Sequence, residues 1–124
     1  MKNIISLVVF AAFVLLFVLI LVKFAPKPPV TEMEDARKSL ADAVAKDAGT
    51  YSGKLYGEAR VLYDSAMANW KRENKKFIYF RHYDRVIEFA TQAEKKAVQA
   101  ATSSKKNSQN LEIKLKHKID SLNK

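Results

Sequence analysis

The sequence predicts an all-α protein. A single N-terminal transmembrane helix leads into a small antiparallel three-helix bundle, whose last helix continues past the others. Three observations support this. Residues 4–22 are apolar except for Ser6. The prolines sit at positions 26, 28 and 29 only, so no proline interrupts the chain after residue 29. Beyond them, apolar residues recur at spacings of three and four, the period of a helix with one buried face.

The nineteen residues 4–22 would make a helix of roughly 28 Å, close to the ~30 Å hydrocarbon core of a bilayer. A buried core helix would alternate apolar and polar faces, and this run does not. A cleaved signal peptide has a shorter apolar core and a small-residue cleavage site. The best small residue here is Ala25, with Lys23 two before it and Pro26 directly after. The reading is an uncleaved anchor over residues 1–23. With no cysteine in the chain, a lipid-modified cysteine cannot replace it, and disulfides, thiol catalysis and cysteine metal sites are excluded.

Orientation is read from the charges that flank the run. Lys2 and the amino terminus flank one side of the run; Lys23, Lys27, Arg37 and Lys38 follow the other. Counting alone leans toward a cytoplasmic body. The short lysine-bearing start favours the opposite: a bacterial inner-membrane protein with its N-terminus inside and its body exported.

Residues 24–30 read as an extended proline-rich spacer that lifts the body off the membrane. The bundle is expected over residues 31–102. Thr31 with Glu34 three positions later reads as a capping box, opening a helix over residues 32–47. Met33, Ala36, Leu40 and Val44 mark its apolar stripe, and Gly49 closes it. A second helix follows over residues 54–75, with Leu55, Ala59, Leu62, Ala66 and Trp70 inward. Gly49, Gly53 and Gly57 are read as a turn plus one tight helix contact.

The third helix starts between Ile78 and Arg81 and meets no breaker. One heptad register carries Tyr83, Ile87, Ala90, Glu94, Ala97, Ala101, Ser104, Ser108, Leu111, Leu115, Lys118 and Leu122, flanked by Val86, Ala93 and Ile119. Residues 102–110 are a polar, weak stretch. Residues 103–124 form a basic, coiled-coil-like extension. Leu111, Leu115, Ile119 and Leu122 are the candidate face for a partner helix or a second copy.

Charge is uneven. Residues 30–70 carry five basic and seven acidic side chains, whereas residues 71–124 carry fourteen and six, a balance of +8. Between Trp70 and Arg85, six basic side chains interleave with five aromatics. Such a segment can hold lipid headgroups or nucleic acid, or simply cap a core. The second body helix is longer than the first by about six residues, so the turn after it points back at the bilayer. Lys75, Lys76, Phe77, Tyr79 and Arg81 are therefore the membrane-surface candidates. Nucleic acid is the least favoured partner.

Catalysis has no motif behind it. His82 and His117 lack ligand-spaced neighbours, and no phosphate loop, carboxylate pair or nucleophile stands out. The expectation is a non-enzyme without metal, cofactor or small-molecule substrate.

Over residues 36–101 the chain resembles a bacterial family of small α-helical envelope domains of unknown function, often carried on lipoproteins. The resemblance rests on Tyr51, Ser52, Leu55, Tyr56, Glu58, Ala59, Leu62, Tyr63, Ala66, Trp70 and Asn74. Phe77, Arg81, Tyr83, Ala90, Ala93 and Ala97 continue it. It implies an envelope location and a spacer or scaffold role, and no catalytic or ligand-binding residues. The chain departs from the pattern in having a membrane helix instead of the lipoprotein cysteine, and in its C-terminal extension. The expected function is thus a single-pass envelope protein acting as a structural adaptor. The alternatives are a cytoplasm-facing tether using its basic half on an acidic partner, or an accessory subunit of a membrane complex.

Overall fold

The computed structural model describes residues 2–123. Among these, five α-helices follow one another: α1 Lys2–Phe24, α2 Val30–Ala45, the single-turn α3 Ala48–Tyr51, α4 Gly53–Asn74 and α5 Asp84–Leu122. A 3-10 turn, Ile78–Phe80, joins α4 to α5. No strand occurs among the described residues, so the all-α expectation holds.

α1 is long and apolar enough to cross a membrane, and none of its described residues is buried within the protein. The body is built around α5, which packs most extensively against α4 and α2. α2 and α5 run the same way: Met33 shares a core with Tyr83 and Val86, and Ala43 shares one with Ala100 and Ala101. α4 returns antiparallel to both.

The core is made largely of alanine. Ala36, Ala43, Ala59, Ala66, Ala90, Ala93, Ala97 and Ala100 are fully buried. Alanine loses no side-chain entropy in a helix and lets backbones approach closely. Larger side chains collect at the end nearer α1, where Leu62, Tyr63, Met67, Trp70, Ile87 and Phe89 surround Met33, Tyr83 and Val86.

Several boundaries differ from the sequence expectations. α2 opens directly on Pro29, whose carbonyl accepts from the Met33 amide at 3.1 Å, and no side chain caps it. Thr31 already lies inside the helix, so the capping box is not formed; Glu34 instead pairs with Arg37. The pair holds the Glu34 carboxyl below its usual range, chiefly through the guanidinium hydrogen bond. Pro29 is itself fully buried, so the spacer ends against the bundle rather than as a free stalk.

α2 ends at Ala45, and the left-handed residue that turns the chain is Asp47 (φ 56°), not Gly49. Aspartate tolerates this conformation better than most L-residues. Val44 is exposed, and the buried stripe passes through Ala43 instead. A Cβ added at Gly49, Gly53 or Gly57 would meet nothing within 4 Å, so the expected tight glycine contact does not exist. In α5 and at its N-cap the buried residues are Tyr83, Val86, Ala90, Ala93, Ala97, Ala100, Ala101 and Ser104. Positions 83, 90, 97, 101 and 104 match the predicted register. Val86 and Ala93 take the places assigned to Ile87 and Glu94, and Ala100 joins Ala101.

Candidate functional site

Two regions gather the residues singled out from the sequence, and they lie at opposite ends of the body. The first is the turn between α4 and α5. Arg81 reaches back so that its Nε donates to the Lys76 carbonyl at 2.9 Å and its Nη2 to the Asn74 carbonyl at 3.0 Å. Carbonyls at the end of a helix lack helical partners, and a cation also suits the negative end of the helix dipole. The guanidinium is thus committed to closing α4.

Glu73 holds the turn from the other side. It is 8% exposed, accepts from the His82 amide at 2.8 Å and pairs with Lys76 at 2.7 Å. The Lys76 hydrogen bond, helped by the His82 amide, pulls its carboxyl below the usual glutamate range. Tyr83 Oη donates to Asn74 Oδ1 at 3.0 Å. Glu73, Asn74 and Tyr83 form the scaffold of this turn, and nothing in the sequence marks them for that role. Their pairings span nine residues across a turn and follow no helical period.

On that scaffold the aromatics face outward. Phe77 is 65% exposed and Phe80 67%, and the two rings lie tilted against one another with centroids 5.9 Å apart. Tyr79 sits 5.7 Å from Phe77 and sends its hydroxyl to the Leu21 carbonyl of α1 at 3.2 Å. That carbonyl also accepts the Ala25 amide at 3.1 Å. Lys75 follows the last residue of α4 and is exposed. Of the five membrane-surface candidates, Phe77 and Tyr79 therefore lie together beside the end of α1, next to Lys75 and Lys76. Arg81 is turned inward to the backbone.

The second region is the C-terminal part of α5. Ser104 is its last buried residue, and its hydroxyl donates to the Lys46 carbonyl at the end of α2. Asn107 Nδ2 donates to the Tyr51 carbonyl at 2.8 Å. The polar stretch that looks weak in the sequence is thus where α5 ties off the α2–α3 turn. Beyond it the helix continues to Leu122 with every described side chain from Leu111 onward exposed. Leu111, Leu115, Ile119 and Leu122, at 46–77% exposure, are left uncovered by the body, and Ile113 faces another way at 64%. An open depression at the root of this extension is lined by Lys46, Asp47, Tyr51, Lys105, Ser108 and Leu111.

No cluster of three or more potential metal ligands occurs among the described residues. No protein family, no curated protein and no solved structure matches this chain.

Proposed function

We propose that the chain is a single-pass membrane protein of the bacterial envelope with a non-catalytic, structural role. In this reading α1 anchors it, the bundle is a rigid spacer, and the end of α5 docks a partner. The observation that carries it is the placement of the two chain ends. α5 starts beside the end of α1, where Tyr79 meets Leu21, and runs away from it for 39 residues, about 58 Å. Its basic, apolar-faced end is therefore held far from the bilayer in which α1 would sit.

Residues 105–124 carry six lysines against one glutamate and one aspartate. Two copies of that surface would repel, so an acidic helix with an apolar stripe is the better complement to Leu111, Leu115, Ile119 and Leu122.

Topology tests this reading. A reporter active only outside the cytoplasm and one active only inside, each fused after Lys124, should give signal from the first alone. The protein should also stay with the membrane through alkaline extraction. A cytoplasmic signal would overturn the envelope location, and extraction into the wash would overturn the anchor.

A further inference from the structure

We infer that the turn of residues 77–80, with Lys75 and Lys76, is a second membrane attachment seated among anionic lipid headgroups. The inference rests on α1 spanning the bilayer. Leu21 lies one residue before the end of the apolar run at Val22. The Tyr79 hydroxyl bonded to the Leu21 carbonyl therefore sits at the depth where a spanning helix leaves the hydrocarbon. That layer is where amphipathic aromatic rings concentrate in membrane proteins.

The chemistry of the turn matches the place. Phe77, Ile78 and Phe80 expose apolar surface that the bundle does not use. Residues 75–82 include no acidic side chain, and the nearby Glu73 is buried and already paired with Lys76 and the His82 amide. Lys23 and Lys27, exposed where the chain leaves α1, add charge of the same sign. Exposed rings flanked by Lys75, Lys23 and Lys27, with Lys76 paired to Glu73 and Asp84 the nearest exposed carboxylate, suit a negatively charged headgroup layer.

The internal construction explains why the rings face outward. Arg81 and Glu73 commit their charges to the α4 backbone and to the turn itself, and Tyr83 packs into the core. The turn is thus braced from inside while Phe77 and Phe80 are left free. With both α1 and this turn engaged, the bundle would be held at two points and could not swivel about the linker of residues 25–29.

The absence of cysteine makes the test direct. Single spin labels would be placed through Phe13→Cys, Phe80→Cys and Ile113→Cys in the full chain, reconstituted in nanodiscs containing anionic lipid. Collision rates with oxygen and with a water-soluble nickel chelate would be read at each site. Position 13 should be lipid-buried, position 113 fully open to nickel, and position 80 several-fold less open to nickel than 113. Replacing the anionic lipid with zwitterionic lipid, or adding Lys75→Glu, should raise the nickel rate at position 80.

Equal nickel rates at 80 and 113, with 13 still lipid-buried, would overturn the second attachment and leave the span standing. Protection at 80 that ignores lipid charge would overturn the anionic assignment. Free nickel access at 13 would overturn the span itself, and the inference with it.

Discussion

The two parts of α5 are both helical throughout and have opposite surroundings. Residues 84–104 bury a seam of seven side chains against the rest of the body, whereas no described side chain from 111 to 122 is buried. The apolar residues also change size across this border. The packed seam is mostly alanine, and the exposed part uses Leu111, Ile113, Leu115, Ile119 and Leu122. Small residues permit close helix approach, whereas large ones exposed on one face offer area to something outside. The bundle completes its own core. The extension has an apolar face that its own chain does not cover.

The largest effect that would break this contrast lies in the packed part. Ala93→Leu adds three carbons at a fully buried position in the core shared with α2 and α4. It should cost about 1–3 kcal/mol in chemical denaturation, as overpacked cores do. A neutral result would mean the seam is looser than its burial indicates.

At the border, Ser104→Ala removes the hydroxyl that reaches the Lys46 carbonyl. A loss of about 1 kcal/mol is expected, with faster amide exchange in the α2–α3 turn.

Glu73→Gln sharpens the contrast at the other end. Its carboxyl is held low by Lys76 and the His82 amide, so the charged form is the one that braces the turn. The contribution is present above the ordinary glutamate range and fades as pH falls through the lowered value. The wild-type turn should therefore lose amide protection in acid, and the Glu73→Gln variant should show a flatter profile.

The smallest effect on folding should come from Leu115→Ser. Leu115 is exposed, so bundle stability should move by less than about 0.5 kcal/mol. A larger loss would show that the extension supports the body.

Much of the fold was legible in the sequence for identifiable reasons. An apolar run of span length, a proline cluster and helical spacing leave few alternatives to a helical body behind one long apolar helix. With α2 of 16 residues and α4 of 22, the aromatic turn lies beside the end of α1, where Tyr79 meets Leu21. The boundaries were less readable because local signals compete. Pro29 with its fixed φ starts α2 before Thr31 can act as a cap. Asp47 takes the left-handed position although three glycines follow within ten residues. The α5 seam was hard to phase because small alanines fill it while the larger Ile87 only flanks it and Val98 is exposed. Pairings such as Tyr79 with Leu21, or Asn107 with Tyr51, join residues more than fifty positions apart and leave no local pattern.

The most direct test of the docking role is a photo-crosslinking scan along α5 in the full-length, membrane-embedded protein. A photoreactive side chain would be placed singly at Thr91, Val98, Leu111, Leu115 and Ile119, all exposed positions. If the extension docks a partner, one discrete adduct should be shared by positions 111, 115 and 119, with none at 91 or 98. Adducts confined to positions 91 and 98, with the extension silent, would contradict it.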